Sequence, residues 1–551
     1  MRWQNKEELK DLAFELVAQN SISGTANEID MSKLVYNKLS TLDYYKKNPD
    51  HLRLVEVGDS IGRYFVCALM KSNKNNPKTL LTVAHTDTVG IDDAGALKEY
   101  IFKPYEYTQK LRENLEMLDP DSKKDLLSGE WLFGRGIMDM KTGLAIQMSL
   151  IEYLSKKEDF DGNIMVLAVP DEETNSEGAL AAVSYANKFL KEEKLNPIAV
   201  LNCEPDFASY PGDDNKYVYL GTCGKLLPGM YVVGKEAHVG ECLAGINTNL
   251  ISSEIISRLE INTDFCEVVD GDVTMPPTCL KYKDLKDLYN VQTPISSIMY
   301  YNIQTFKSNP KEVLDKLRKI CEEAAQSAEN KVQKNIEAYK RLSNLPTKDN
   351  DFKIRVISYE ELYNEVIAKF DKKEVDDKLD KEIRRLLDDK SLDERDISLN
   401  IVRYLHNILG DNNPCIVLFF APPYYPHVGL DESREFDSKL INLANSIVKK
   451  GKSEYQEEIK IQKYFQGLSD LSYFALQDAD LVMKFLKTNM PSLGYRYDIP
   501  LDDIRELDLP VINLGPHGRD PHKYTERILV DYSYETVPKL IRELVEGIFK
   551  L

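Results

Sequence analysis

The chain lacks the features that would mark several protein classes. Its eight cysteines are scattered, and none forms a CxxC pair. That excludes a cysteine knuckle and gives no disulfide framework, so buried free thiols in a reducing compartment are expected, and with them a cytoplasmic location. No apolar run approaches the roughly 20 residues that span a bilayer. The start, Met1-Arg-Trp-Gln-Asn-Lys-Glu-Glu-Leu-Lys, has helical periodicity and no apolar leader segment. Positive charge is in deficit, 71 Lys and Arg against 90 Asp and Glu, for a net charge of −19. Such a balance argues against nucleic acid or an anionic membrane as a partner. Internal repeats and low-complexity linkers are absent too. The 551 residues suffice for two or more domains, each with its own core.

The most informative stretch runs from Lys78 to Gly90. Leu80–Ala84 is a short apolar run with a β-branched member and reads as a buried strand. It ends on His85, with Asp87 two residues on. In extended chain, positions i and i+2 share a side, so the Asp87 carboxylate is expected to receive the second imidazole N–H of His85, the usual support of a metal-bound histidine.

Further apolar runs repeat the pattern. Asn163–Val169 leads into Asp171-Glu172-Glu173, and Ile198–Asn202 leads into Cys203-Glu204. Helical spacing between them gives a strand–helix–strand rhythm, hence a largely parallel α/β sheet with ligands at the carboxyl ends of its strands. Asp139 follows Gly134 and Gly136 in a loop whose backbone can bring a carboxylate between two ions. Glu172 and Glu173 are adjacent, so their side chains diverge, and one can bind metal while the other faces water. His522 lies in the loop before the last helix. These are the parts a two-metal hydrolytic site requires.

From about residue 216 the pattern becomes α+β. The expected division is a first catalytic part at 1–215, an enlarged lid or dimerisation-type domain at 216–430 and a second catalytic part at 431–551. Residues 359–409 are charge-dense with helical spacing and read as solvated helix faces.

His85-Thr-Asp87, Gly134-Arg-Gly-Ile-Met-Asp139-Met-Lys-Thr-Gly143, Asp171-Glu-Glu173 and His522-x-x-x-Glu526 together resemble the aminoacylase, acetylornithine deacetylase and carboxypeptidase G family of co-catalytic zinc metallopeptidases. The resemblance implies a zinc-peptidase-like α/β fold with an inserted α+β lid. It implies that His85 and Glu204 hold one metal and Glu173 and His522 the other, with Asp139 bridging. Glu172 would be the general base, Asp87 would orient His85, and His238 in Gly234-Lys-Glu-Ala-His238 would stabilise the oxyanion, often across a dimer. Asp470, in Gly467-Leu-Ser-Asp470, would lie near substrate. Two divalent ions are implied, zinc by ligand type, with cobalt or manganese as alternatives. The lid segment is roughly twice the family's usual length, which leaves a homodimer, and His238 acting in trans, open. In length and motif wording the chain is most similar to the family's arginine-utilisation type. The implied function is hydrolysis of an amide, peptide or N-acyl bond in a small amino-acid derivative. The alternative is a catalytically silent binding or regulatory protein on the same fold.

Other residues read more plainly. Arg519 is the first choice for a substrate carboxylate, with Arg135, Tyr424 and Tyr425 as further contacts. His517 competes with His522, but the spacing to Glu526 favours His522. Cys203 has no adjoining histidine and reads as a buried thiol, not a nucleophile. Gly221-Thr-Cys-Gly-Lys225 lacks the first glycine and following hydroxyl of a phosphate loop.

Overall fold

In a computed structural model, which describes residues 1–551 other than 207, 211, 345 and 347–351, the apolar runs become strands, the central ones buried on both faces. Those of the larger sheet are β1 (Leu52–Glu56), β2 (Tyr64–Lys71), β3 (Lys78–His85), β4 (Asn163–Val169), β5 (Asn196–Asn202), β6 (Lys216–Tyr219), β7 (Ile459–Gln462) and β8 (Val511–Asn513). Their order across the sheet is β1-β2-β4-β3-β5-β8-β6-β7. The central four, β4, β3, β5 and β8, are parallel. The expected parallel character is thus confined to the middle and to the outer β6–β7 pair, with antiparallel joins elsewhere. Every residue of β4 is buried, as the continuous hydrophobic run of a doubly covered parallel strand requires.

Three helices pack on this sheet close to the site: α1 (Asn27–Ser40), α2 (Thr142–Ser155) and α3 (Glu177–Glu192). Helix α2 is buried over almost its whole length. Its second residue is a glycine for a steric reason: a Cβ on Gly143 would stand 2.2 Å from the Cys203 carbonyl oxygen. The helix start therefore sits directly on the end of β5. Leu80, Ile164, Val166 and Leu201 share one core with Leu144, Met148 and Ile151 of α2, each full burial being worth roughly 1.5–3 kcal/mol.

The chain divides into two units, Met1–Cys223 with Pro426–Gln477 and Pro500–Leu551, and Gly224–Tyr425 with Asp478–Ile499. The second unit covers most of the expected inserted segment, but it also takes Asp478–Ile499, which the expected division assigns to the second catalytic part. The reason is packing: Tyr424 donates its N–H to Tyr497 Oη at 3.0 Å, and Ser398 and Ser492 Oγ are 2.8 Å apart. This unit holds a five-stranded sheet, Thr278–Asp284, Ser296–Thr305, Gly224–Val233, Cys415–Tyr425 and Arg355–Ser358 in spatial order. The charge-dense stretch forms helices Tyr359–Lys369, Lys372–Asp388 and Glu394–Leu409. The middle one buries Val375, Leu379, Ile383 and Leu386, one stripe at helical spacing.

Candidate metal centre

Because β3, β4, β5 and β8 run parallel, the chain leaves all four at one edge of the sheet. His85 is the last residue of β3; Glu172 and Glu173 follow β4; Glu204 follows β5; and the loop bearing His522 follows β8. This edge collects the chemistry, as the carboxyl ends of parallel strands do.

His85 is buried, with Nε2 2.9 Å from Asp139 Oδ1 and 3.9 Å from Glu204 Oε2. The other Asp139 oxygen, Oδ2, is 3.3 Å from His522 Nε2, and that nitrogen is 3.0 Å from Glu173 Oε2. Asp139 therefore turns one oxygen to each histidine. Ligand atoms of His85, Asp139 and Glu173 lie within 4.8 Å of one another. This nitrogen and carboxylate donor set fits a divalent cation of zinc's type.

Asp87 faces His85 and the acidic turn at once. Its Oδ1 is 3.6 Å from His85 Nδ1, too far for a hydrogen bond. The nearer neighbour of that nitrogen is the Asp87 carbonyl oxygen, at 3.2 Å. The carboxylate instead accepts the backbone N–H groups of Glu172 (3.1 Å) and Glu173 (3.2 Å) and the hydroxyl of Ser23 (2.6 Å). It templates the acidic turn.

The Asp139 loop is held from below. Gly136 has φ +73, and a Cβ there would stand 2.6 Å from Thr88 Cγ2, so the loop needs glycine on both counts. Glu526 Oε1 accepts from Met138 N at 3.2 Å, while Glu526 Oε2 is 3.2 Å from Arg135. Arg135 also grips Asp93 with two bonds of 2.9 and 3.0 Å. Its charge holds the loop.

Arg519 is partnered as well. Its guanidinium stands over Trp131, 5.0 Å from the ring centroid. It pairs with Asp125 at 2.9 Å and with Asp214. His517 is buried with Nδ1 2.5 Å from Asp206 Oδ1, whereas His522 joins the carboxylates. His238 belongs to the second unit, where it is exposed and accepts the Gly240 N–H at 3.1 Å. Tyr424 and Tyr425 lie in that unit's buried strand Cys415–Tyr425.

Burial dominates the electrostatics. It raises Glu172 and Glu204 well above the carboxylate range, against the attraction of His85. Asp470, also fully buried, is pushed up to about 7 by the same cause, and its charge in turn raises Glu172 and Glu204. Burial opposes charge on His522, but Asp139 and Glu173 outweigh it and hold its pKa at about 11. Asp139 is lowered despite burial, by hydrogen bonds from His522 and His85. Such a site binds protons where cations are wanted, so metal uptake releases them.

One residue of this region belongs to no sequence motif. Arg63 is buried just before β2 and faces Glu28, Asp59, Asp171 and Glu177. Three of those partners lie 35, 108 and 114 positions away, and no local pattern announces them.

Residues 81–494 match peptidase family M20/M25/M40. Over 550 residues the chain is 37% identical to the uncharacterised protein YqjN of Bacillus subtilis, covering 100% of this chain and 98% of that one. It is 34% identical to protein RocB of the same organism over 541 residues, 98% and 94% of the two chains. Among solved structures, aminopeptidase PepT of Bacillus cereus superposes with a TM-score of 0.52 at 13% identity, covering 99% of each chain. The YXEP protein of Bacillus subtilis, described as a dinuclear metal-binding peptidase of the M20 family, gives 0.50 at 10% identity over 99% and 98%. The family match across three quarters of the sequence, with two relatives above 30% identity end to end, makes this chain a member of peptidase family M20/M25/M40, a hydrolase of amide C–N bonds.

Proposed function

We propose that the chain is a two-metal hydrolase that cleaves an amide, peptide or N-acyl bond in a small amino-acid derivative. The observation that carries this reading is Asp139, which offers Oδ1 toward His85 and Oδ2 toward His522. His85 and Glu204 would hold one ion, Glu173 and His522 the other, with Asp139 shared. Two such ions, zinc by donor type, lower the pKa of water and polarise a carbonyl.

The residues of the chain do the rest. Glu172 takes a proton from the attacking water and returns it to the leaving nitrogen, a role suited to a buried carboxylate whose affinity for protons is raised. Asp87 fixes the backbone from which Glu172 and Glu173 diverge. Asp470 borders the substrate, and His238 stabilises the oxyanion. The resemblance of its length and motif wording to the family's arginine-utilisation type suggests a setting in arginine catabolism. No helix among the described residues is long and apolar enough to cross a membrane. The working partner is a small amino-acid-derived substrate, in the cytoplasm, with no nucleic acid or membrane involved; the enlarged lid leaves a homodimer open.

The test is metal content, followed by activity. Purified protein is expected to carry about two ions per chain, with Asp139→Ala losing both, and to release amine from N-acyl amino acids or dipeptides. A parent protein without metal after incubation with zinc or manganese would sink the proposal.

A further inference from the structure

We propose that Arg63 is a positioning residue for Glu172 and Glu173, acting through Asp171. The inference rests on the two-metal reading and adds a part that no motif contains.

The loop before β2 is built to aim this side chain. Asp59 Oδ1 accepts the N–H groups of Ile61 (2.9 Å), Gly62 (2.7 Å) and Arg63 (3.2 Å). The other Asp59 oxygen takes Arg63 Nε at 2.5 Å. With Nε fixed, the planar fork has one direction left. Nη1 donates to Asp171 Oδ1 at 2.5 Å and to Glu28 Oε2 at 3.1 Å, and Nη2 donates to Glu177 Oε2 at 2.8 Å. Each acid comes from a different place: Glu28 from α1, Glu177 from the first turn of α3, and Asp171 from the turn that follows β4.

Asp171 is the partner with consequences. It adopts φ +77, the left-handed region, which costs a side chain other than glycine roughly 1–2 kcal/mol. Its own bonds hold it there. Oδ1 accepts from Arg63 and from the Thr174 hydroxyl, Oδ2 accepts the Glu177 N–H at 3.1 Å, and its carbonyl accepts the Ser176 N–H at 2.7 Å. The chain leaves this residue so that the next two N–H groups both meet Asp87. Glu173 then reaches His522. Glu28 closes the circle: its Oε2 also accepts the N–H of Gly24 at 2.9 Å, beside Ser23, which donates to Asp87. One guanidinium thus braces the acidic turn directly and the Asp87 template from behind.

Neutralising buried charge does not require four acids around one arginine. Burial, with the nearby Asp87, pushes Glu28 up to about 8. What the arrangement achieves is the joining of three elements at the left-handed residue. Without Arg63, Asp171 loses its charged partner, its strain is released, and Glu173 moves off His522. His85 and Glu204 are fixed by β3 and β5 and do not depend on that turn.

The experiment is Co2+ titration of the metal-free full chain, followed by visible absorption, with His522→Ala marking the signal of the ion assigned to Glu173 and His522. In Arg63→Gln and Asp171→Asn that ion is expected to weaken about 10–100-fold, while the ion on His85 and Glu204 stays within about threefold. Because both substitutions act on one linkage, the double variant is expected to be no worse than either alone. Arg63→Lys, which keeps the charge and loses the fork, is expected to retain the thermal midpoint and still show the selective loss. It also serves if Arg63→Gln does not fold. Equal weakening of both ions in step with the midpoint would make Arg63 a merely structural residue and overturn the proposal, as would no change at either ion. A parent chain that binds no Co2+ overturns the two-metal reading and this inference with it.

Discussion

The two units use the same charged residues to opposite ends. In the second unit, Lys372–Asp388 carries its charges on the outside as pairs one helical turn apart, Lys372 with Asp376 (3.0 Å) and Lys378 with Glu374 (2.7 Å). In the first unit, Asp87, Glu172, Glu204 and Asp470 are buried, and Glu28 and Asp171 surround a buried arginine. Exposed pairs are screened by water and contribute little. Buried carboxylates must find donors, protons or cations. Sequence composition does not separate the two cases; position at a strand end or on a helix face does.

That contrast can be tested by substitution. The largest effect belongs to Glu172→Gln, which keeps shape and hydrogen bonding but cannot move a proton. Turnover of any N-acyl amino acid or dipeptide the parent cleaves should fall about 10²- to 10⁴-fold, with metal content unchanged by atomic emission. Unimpaired turnover would break the comparison at its centre. Next, Asp87→Ala strands the N–H groups of Glu172 and Glu173, each costing roughly 1–3 kcal/mol if left unpaired. A lowered melting temperature and about 10–100-fold weaker zinc binding by calorimetry are expected.

A smaller effect is one of pH. The folded chain holds the Glu28 proton up to about pH 8, against 4.5 for the ordinary side chain. Its contribution to stability is therefore complete below about 4.5 and is lost as pH rises through about 8. The melting temperature of the parent should fall between pH 5 and 8.5 more steeply than that of Glu28→Gln, and parallel curves would refute the assignment. Least of all, Lys378→Ala on the exposed helix should leave the melting curve where it is. A clear shift there would blur the distinction between the two units.

How much of this is legible in the sequence depends on the same physics. His85, Glu172–Glu173 and Glu204 can be found because an apolar run ends just before each, and a parallel sheet brings such ends together. The Gly136–Asp139 loop is marked by its glycine. Arg519 and Arg135 look available because a sequence shows a charge without its partners; Asp125, Asp214, Asp93 and Glu526 supply those partners only in the fold. The Asp87 carboxylate is expected at His85, and it stands 3.6 Å from Nδ1; that the turn after β4 also presents two N–H groups to it is visible only in the fold. Arg63 is invisible for a related reason: its hold on the site, through Asp171, Glu28 and Glu177, is made of long-range pairs.

The position of β8 has a consequence for how the molecule is made. This short strand lies against β5 and next to β6 in the middle of the larger sheet, yet it is synthesised about 300 residues after β5. At roughly 5–20 residues per second that delay is on the order of 15–60 s. A ribosome-bound chain that has finished the second unit still has a gap in the sheet of the first, and His522 has yet to emerge. The carboxyl-end edge that gathers His85, Glu172, Glu173 and Glu204 is therefore completed only after the whole second unit has been made.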